Sequence, residues 1–308
     1  MNDRKVLVGL IGANIMKSLS PALHADAFRA AGIEGYYHLM DVDRPPRRSL
    51  AQLLEAAATA GFSGVNITFP FKQDVLTLLD TITPEAAQIG AVNTVTITAD
   101  GRTTGYNTDR RGFRRSFEEE LGPGAAKAAT VVLVGAGGVG RAVAFALMEL
   151  GAAMIVLCDR DTERATSLLN DLARHYKEPR CRLAGALESE VAAADGVVNA
   201  TPVGMHGFAG NPVPACALKA SHWVADVVYT PIETMFIKAA AAKGARVLTG
   251  GGMCVHQAAE AFRLFTGVEP DIVRMHRTFA KALAARDMTM FQPLIAHPGT
   301  SICSTHQT

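Results

Sequence analysis

Three polar side chains near residue 70 have types and spacing suited to binding a polar ligand and moving a proton. They lie in the run Gly64-Val-Asn66-Ile-Thr68-Phe-Pro70-Phe-Lys72. Asn66 and Thr68 alternate at the end of a predicted strand, so both side chains share one face. Lys72 falls in the first turn of a predicted helix, where the positive end of the helix dipole disfavours a charged ammonium. A lysine of that kind is a candidate acid or base.

Asp109 supplies a carboxylate that could pair with this lysine. It follows Asn107 and precedes a predicted amphipathic helix. A carboxylate beside the ammonium would hold Lys72 in place and ionised while the ammonium exchanges its proton with a substrate hydroxyl. Two simpler interpretations stay open at this point. Lys72 could be an ordinary solvated lysine, and Asp109 could be only a helix cap.

A second pair of hydroxyls stands at Ser18-Leu-Ser20-Pro21, just before a predicted helix. Alternate residues of an extended segment point the same way, so both hydroxyls can face one ligand. Capping of the helix by Ser20 would explain one serine but not both. We therefore keep a substrate-binding role for the pair beside the capping interpretation.

A glycine-rich turn at Val131-Val-Leu-Val-Gly135-Ala-Gly-Gly-Val-Gly140 separates a β-branched strand from an Ala-rich helix. Gly135 suits the tight turn, Gly137 lets the backbone approach a pyrophosphate, and Gly140 lets the helix pack on the strand. The helix N-terminus offers free N–H groups to phosphates. A second strand ends at Asp159, a carboxylate that could accept both hydroxyls of an adenosine ribose. The pattern predicts a dinucleotide, and NAD in particular.

Alternating strands and helices must position these residues. The βαβα order of the first half predicts an α/β fold with a mainly parallel sheet. Asp100-Gly101 is typical of a two-residue hairpin, which we place at the edge of that sheet. Prolines at the first helical positions mark two helix starts. The predicted strands are 6–11, 36–42, 65–68 and 91–98, and the predicted helices are 21–31, 50–60 and 70–79.

A short Gly/Pro/Ala segment at 122–126 separates this half from the nucleotide-binding unit. Further buried strands are predicted at 196–200, 223–228 and 246–249, and helices at 255–265 and 272–285 are expected to return to the first half. We predict a substrate-binding and catalytic domain formed by residues 1–121 and 255–288, a Rossmann-type NAD-binding domain at 122–254, and a poorly ordered tail at 289–308.

Composition excludes several classes of function. The 30 Lys and Arg residues against 29 Asp and Glu residues leave a net charge of +1, without the basic field that nucleic-acid binding requires. No run approaches the ~18 apolar residues of a membrane span, and Met-Asn-Asp-Arg-Lys leads straight into a strand, so we expect a cytoplasmic protein without a membrane partner. The cysteines and histidines lack metal-ligand spacing, and no metal is expected.

Seven sequence blocks together resemble the shikimate dehydrogenase family, and the resemblance covers roughly residues 6 to 286. Their joint occurrence, in this order and spacing, is much more specific than any one block. The blocks are Ser18-Leu-Ser20-Pro-x-x-His24, Gly64-x-Asn66-Ile-Thr68-x-Pro-x-Lys72, Gly90-Ala-Val-Asn93-Thr, Gly105-Tyr-Asn-Thr-Asp109-x-x-Gly112-Phe, Asn199-Ala-Thr-Pro-x-Gly-Met205, Asp226-Val-Val-Tyr229-x-Pro-x-x-Thr234 and Met253-Cys-Val-His-Gln257-Ala.

The resemblance implies an NAD(P)-dependent alcohol dehydrogenase in which Lys72 and Asp109 are the catalytic pair. Hydride would pass between C3 of a ring hydroxy acid and C4 of the nicotinamide, without a metal. Ser18 and Ser20 would bind the substrate carboxylate, and Tyr229 would complete the pocket. The remaining implied residues are Asn66, Thr68, Asn93 and Gln257 for ring hydroxyls, and Gly135, Ala136, Gly137, Gly138, Val139, Gly140, Asp159, Arg160, Arg164, Thr201, Val228, Gly250 and Met253 for the cofactor.

Cofactor preference is predicted from the residues after the second strand of the nucleotide unit. NADP-using family members typically carry Asn-Arg-Thr there, whereas this chain has Asp159-Arg160-Asp161. A carboxylate ~4 Å from a 2′-phosphate would cost on the order of 1 to 4 kcal/mol, so we predict NAD over NADP. Arg160 and Arg164 could still meet a phosphate, which leaves weak NADP use open.

The substrate and the functional class retain alternatives. Quinate-using relatives often have threonine where this chain has Ser20, so shikimate is the first expected substrate and quinate the second. The other interpretations are an NADP-using biosynthetic shikimate dehydrogenase, a methylene-tetrahydrofolate dehydrogenase, and a regulatory module that binds shikimate and NAD without turnover. The presence of both Lys72 and Asp109 argues against the last. A monomer or homodimer is expected.

Overall fold

The computed structural model describes residues 5–176 and 180–290. These residues form two six-stranded sheets with helices around them, which confirms the predicted α/β class. Within the same residues, no helix is both long and apolar enough to cross a membrane. The tail predicted at 289–308 lies outside them, apart from its first two positions, which belong to the last helix.

The first sheet contains the strands predicted before residue 107 and one short addition. It is formed by β1 (Val6–Gly12), β2 (Gly35–Asp41), β3 (Gly64–Ile67), β4 (Thr81–Ile82), β5 (Thr94–Ile97) and β6 (Thr103–Tyr106), in the order β2-β1-β3-β5-β6-β4. Strand β1 is parallel to β2 and β3, whereas β5 is antiparallel to β3 and β6. The connecting helices are α1 (Ser20–Ala30), α2 (Leu50–Thr59), α3 (Pro84–Ile89) and α4 (Asp109–Glu120).

A hairpin forms at Asp100-Gly101, but its turn has three residues instead of the predicted two, since Thr98 N donates to the Arg102 carbonyl across it. Its predicted position at the sheet edge was also wrong. Strand β4 pairs in parallel with β6 and covers that side. Two residues are too few for a hydrophobic period, so sequence patterning does not detect this strand.

The helix predicted over 70–79 was also wrong. Residues 70–73 form turns, and only Asp74–Leu78 are helical, as a 3₁₀-helix. The backbone carbonyl of Lys72 accepts a hydrogen bond from Val92 N at 2.8 Å. Val92 lies just before β5, outside the predicted helix. An α-helix would require that carbonyl to accept from within the helix. Lys72 therefore lies in a turn, and the helix-dipole argument for its chemistry does not apply.

The second sheet is fully parallel, and the glycine-rich turn follows one of its central strands. Its strands are β7 (Thr130–Val134), β8 (Met154–Cys158), β9 (Cys181–Leu183), β10 (Gly196–Asn199), β11 (Trp223–Asp226) and β12 (Arg246–Leu248), in the order β12-β11-β10-β7-β8-β9. Its helices are α5 (Gly138–Glu149), α6 (Thr162–His175), α7 (Leu187–Ala193) and α8 (Met235–Ala242). Both faces of such a sheet are covered, which explains the continuous apolar strands.

Two final helices, α9 (Gly250–Thr266) and α10 (Ile272–Met290), pack against the first half of the chain. Helix α9 begins five positions earlier than its predicted start at 255, directly after β12. Phe262 and Phe265 of α9 join the core around Phe28 of α1. Helix α9 therefore begins at the second sheet and ends in the core of the first.

Candidate active site

Lys72 and Asp109 form an ion pair at the centre of the candidate site. The Lys72 Nζ atom lies 2.5 Å from Asp109 Oδ2, and their side chains are only 12% and 5% exposed. Asp109 is the first residue of α4, and its other carboxylate oxygen accepts from Asn93 Nδ2 at 2.9 Å. An ammonium has three donors, so Lys72 retains donors for a further oxygen.

A buried polar network holds this pair in place. The side-chain oxygen of Asn93 accepts a hydrogen bond from Thr108 N at 2.7 Å, and its amide nitrogen donates to Thr108 Oγ1 and to Asp109 Oδ1. Both amide hydrogens of Asn93 are thus engaged within the protein. The network fixes the carboxylate of Asp109, because Thr108 and Asp109 adjoin at the start of α4.

Asn66 faces the same network from β3. Its amide nitrogen donates to Thr94 Oγ1 at 2.9 Å, and its oxygen accepts from the Tyr37 hydroxyl at 2.9 Å. Val65 and Ile67, on either side of it, belong to the apolar core with α2. His24 stacks on Tyr37 with ring centroids 4.5 Å apart, and burial lowers the pKa of His24 to about 3. His24 is therefore a neutral ring that supports Tyr37.

The serine pair forms one end of the site. Ser18 Oγ donates to Ser20 Oγ at 3.2 Å, so the two hydroxyls do share a direction. The capping interpretation of Ser20 was wrong: Leu19 occupies the N-cap position of α1, and it is Ser18 Oγ that accepts from a backbone N–H at the helix start, that of Ser20, at 3.2 Å. Burial raises the pKa of Tyr229, so its hydroxyl remains protonated at neutral pH. This hydroxyl interacts with the side chain of Ser18.

Helix α9 brings a further polar side chain to α4. Gly112 lies one turn after Asp109, and a methyl group added there would come within 3.0 Å of Gln257 Cβ and of the Met253 carbonyl. Gln257 donates to the carbonyl of Cys254 at 2.8 Å. Burial, assisted by the charge of Asp109, raises the pKa of Cys254 to about 12, so this thiol is not a nucleophile at neutral pH.

The glycine-rich turn has the geometry that a pyrophosphate requires. Gly135 has a φ of 103°, and a methyl group at Gly140 would overlap the Gly135 carbonyl oxygen. A methyl group at Gly137 would meet nothing within 4 Å, so space for a ligand lies beside the start of α5. These residues fit a dinucleotide phosphate at the helix N-terminus.

Asp159 lies beside this turn and is held by backbone donors. Its carboxylate accepts from Ala136 N at 2.7 Å and from Asp161 N at 2.9 Å. Asp161 in turn caps α6 by accepting from Arg164 N at 3.1 Å. Arg160 and Arg164 are both exposed. The edge of the turn thus combines one fixed carboxylate with two arginines.

The two halves of the site meet at Lys72. A methyl group at Gly138, the first residue of α5, would come within 2.7 Å of Lys72 Cβ. The Arg141 guanidinium, one turn further along α5, donates to the carbonyl of Ile89 in the first half. The other predicted cofactor residues follow the carboxyl ends of β10, β11 and β12, where open parallel sheets bind ligands: Thr201, Val228, Gly250 and Met253.

Comparisons with known proteins agree with this architecture. Three family descriptions match the chain: "Shikimate dehydrogenase substrate binding domain" at residues 10–95, "Shikimate / quinate 5-dehydrogenase" at residues 118–206, and "Shikimate 5'-dehydrogenase C-terminal domain" at residues 250–278. A protein of Corynebacterium efficiens named quinate/shikimate dehydrogenase (NAD(+)) is 48% identical over 288 residues, covering 91% of this chain and 99% of the relative. The chain belongs to the shikimate dehydrogenase family. It is an oxidoreductase that acts on a hydroxyl group.

Two other relatives differ in the cofactor they are named for. A shikimate dehydrogenase (NADP(+)) of Streptomyces avermitilis is 47% identical, covering 89% of this chain and 95% of the relative. The solved structure of a quinate dehydrogenase from Corynebacterium glutamicum in complex with NAD matches with a TM-score of 0.83 and 47% identity, covering 90% and 100% of the two chains. Family membership therefore establishes the class of reaction but leaves the cofactor to the residues themselves.

In this member of the shikimate dehydrogenase family, a buried carboxyl, that of Asp226, connects the ends of two neighbouring strands of the second sheet. Asp226 accepts from Asn199 Nδ2 at 2.9 Å and from the Thr234 hydroxyl at 2.7 Å. Asn199 and Asp226 are register partners at the ends of β10 and β11. The sequence blocks contain all three residues, but we assigned them no role. The position of Asn199 and Asp226 at the ends of two consecutive predicted strands was the signal that could have revealed their contact, whereas Thr234 lies at the N-cap of α8.

The Asp226→Asn substitution is expected to alter how stability depends on pH. Burial raises the pKa of Asp226 to about 6, against an ordinary value of 3.8. Between these values the folded protein retains a proton that the unfolded chain releases, so the stabilisation is full below about pH 4 and lost as pH rises through about 6. Asparagine does not titrate. Relative to the parent protein, the variant should gain about 2 kcal/mol of stability between pH 4.5 and 7.

Urea unfolding at several pH values would measure this difference. The control is Asp80→Asn, because donors from Thr103 lower the pKa of Asp80 and keep it ionised over the same interval. Parallel pH curves for the parent and Asp226→Asn would show that Asp226 does not retain its proton.

Proposed function

We propose that this protein oxidises shikimate to 3-dehydroshikimate with NAD, with quinate, oxidised to 3-dehydroquinate, as the second substrate. The observation that carries the proposal is the buried Lys72–Asp109 pair, 2.5 Å apart, which abuts the glycine-rich turn at Gly138. An acid/base group and a site suited to a dinucleotide thus lie side by side. A substrate alcohol bound between them would lose its hydroxyl proton to the acid/base group and a hydride from the adjoining carbon to the cofactor.

We assign the transfer of the hydroxyl proton to Lys72. A neutral Lys72 amine, formed when its ammonium passes one proton to solvent, would accept the proton of a substrate hydroxyl within hydrogen-bond distance of Nζ, while the hydride leaves the carbon that bears this hydroxyl. Asp109 orients the amine and stabilises its protonated form, and Asn93 orients Asp109. A nicotinamide ring bound beside this pair supplies the hydride acceptor. The residues proposed to hold the cofactor are those of the glycine-rich turn, Asp159 and the strand-end positions from Thr201 to Met253.

The polar side chains suit a ring acid with several hydroxyls. Each hydroxyl buried without a partner would cost about 1 to 3 kcal/mol, so such a substrate requires many donors and acceptors. We assign the carboxylate to Ser18, Ser20 and Tyr229. Ring hydroxyls are assigned to Asn66, Thr68 and Gln257. Asn93 is also assigned to the ring hydroxyls, and its amide in addition orients Asp109.

The proposed cofactor is NAD, on the strength of Asp159. Its carboxylate, fixed by two backbone donors, suits a ribose with free hydroxyls and repels a 2′-phosphate. The name of the Corynebacterium efficiens relative agrees, whereas the name of the Streptomyces avermitilis relative supports the NADP-using alternative. We further propose that residues 122–254 form the NAD-binding domain, that 1–121 with 255–288 form the substrate domain, and that the enzyme is cytoplasmic and a monomer or homodimer.

A kinetic screen tests the proposal directly. The purified enzyme is assayed at 340 nm with shikimate and with quinate, each with NAD and with NADP. We expect the highest kcat/KM for shikimate with NAD. A tenfold advantage for NADP would replace the proposal with the NADP-using shikimate dehydrogenase. Absence of turnover in all four combinations would indicate a ligand-binding module instead.

The Ser20→Thr substitution is expected to shift preference toward quinate. Ser20 is buried and lies 3.2 Å from Ser18 Oγ, at the proposed carboxylate end. Threonine adds one methyl group and restricts the hydroxyl rotamer, where quinate and shikimate differ in shape. The ratio of kcat/KM for quinate to that for shikimate should rise about tenfold. Ser63→Thr, before β3 and at its opposite end from Ile67, is the control; an equal change there would contradict the assignment.

A further inference from the structure

Two histidines and a glutamate converge outside the proposed active-site residues. Glu119 lies at the end of α4, His256 on α9 and His276 on α10. His256 Nε2 lies 2.8 Å from Glu119 Oε2, and one ligand atom from each of the three residues falls within 4.8 Å of the others. The two imidazole rings meet edge to face, with centroids 5.2 Å apart. The mechanism proposed above uses none of these side chains.

Local sequence spacing does not show this cluster. Glu119 and His256 are 137 positions apart, and the histidines lie on different helices. The expectation that the chain binds no metal rested on the absence of ligands a few residues apart. The three possible ligands come together only because helices α4, α9 and α10 pack against one another, so their spacing along the sequence does not reveal them.

The donor set is that of a transition-metal site. Two imidazole nitrogens and one carboxylate oxygen suit zinc, which binds them at about 2.0 to 2.2 Å. Ligands at those distances around a tetrahedral ion lie roughly 3.4 Å apart. The present separations, up to 4.8 Å, exceed that value by at most about 1.4 Å, so the side chains must move closer together when the ion binds. His256 is buried and fixed, whereas Glu119 is exposed and can adjust its rotamer.

We propose that Glu119, His256 and His276 bind one divalent transition-metal ion of the zinc class, which ties together helices α4, α9 and α10. Solvent at the exposed Glu119 side supplies the fourth ligand. The ion stabilises the fold and takes no part in the reaction. Because His256 immediately precedes Gln257, the ion also stiffens the stretch of α9 proposed to contact substrate. The proposal does not depend on the identity of that substrate.

The test uses the full-length protein freed of metal with a chelator. Zn²⁺ is titrated by calorimetry, and Co²⁺ by its visible absorption, which is intense only in four-coordinate sites. We expect one equivalent of metal to bind and to raise the unfolding temperature. The His276→Gln variant should bind at least about 100-fold more weakly, and Glu119→Gln should also weaken binding.

The matched control is His38→Gln, which removes an exposed histidine from β2 and should leave metal affinity unchanged. Far-ultraviolet circular dichroism would confirm that each variant is folded. Unchanged affinity in folded His276→Gln, an equal loss in His38→Gln, or no binding to the parent protein would each overturn the proposal.

Discussion

The Lys72→Ala variant is expected to lose about 10³-fold in kcat while it binds NAD nearly as well as the parent enzyme. General acid–base catalysis contributes about 10² to 10⁴ in rate, and Lys72 is the group placed to supply it. The residues proposed to hold the cofactor belong to the second sheet and its helices, whereas Lys72 belongs to the first half of the chain. Its removal leaves Asp109 buried without its ion-pair partner, so some stability should also be lost.

Steady-state kinetics with shikimate and calorimetric titration with NAD would separate these effects. Lys238→Ala is the matched control, because its ammonium is largely exposed and only 3.9 Å from Glu233 at the surface. It should retain full activity. The Asp109→Asn variant should lower kcat in the same direction, since the amide cannot balance the charge on Lys72. Full turnover in folded Lys72→Ala would refute the assigned role.

A double substitution, Asp159→Asn with Asp161→Thr, should shift the cofactor preference toward NADP by about 10²-fold in the ratio of kcat/KM values. Two carboxylates near a 2′-phosphate contribute on the order of 1 to 4 kcal/mol of repulsion each at about 4 Å, less where solvent screens them. Threonine can still cap α6 in place of Asp161, so the helix start should survive. Arg160 and Arg164 remain available to the phosphate.

The measurement is a comparison of kcat/KM for NAD and NADP in parent and variant. Asp195→Asn serves as the control, since it removes one negative charge at the other end of the same sheet, where Asp195 accepts from Thr130 N at 2.8 Å. That variant should keep the parent ratio. If the double variant also kept it, Asp159 would not determine the preference.

The features predictable from sequence are those imposed by neighbours along the chain. The turn at Gly135 requires a positive φ that glycine adopts readily, and Gly140 must lack a side chain because the preceding turn touches it. Both requirements act within six residues. The pattern of types therefore predicted this part of the site together with its strand and helix.

Features decided by distant partners were predicted incompletely. The pairing of Lys72 with Asp109 was proposed from residue type. The helix predicted at Lys72 was wrong because the backbone carbonyl of Lys72 accepts a hydrogen bond from Val92 N, which is distant in sequence. Asn93 was expected to bind substrate, and its additional contacts with Thr108 and Asp109 were not predicted. The contact between Asn199 and Asp226 arises only when two strands lie side by side.

The close approach of Gly138 to Lys72 means that the nucleotide-binding half cannot be exchanged as an independent module. Any transplanted half must present glycine at that position, because even alanine would place its methyl group within 2.7 Å of Lys72 Cβ. A chimera whose second half carried a larger residue there would be strained beside Lys72, even where each half folded normally. The absence of a side chain at position 138 is thus one requirement for compatibility between donor halves, beside contacts such as that of Arg141 with Ile89.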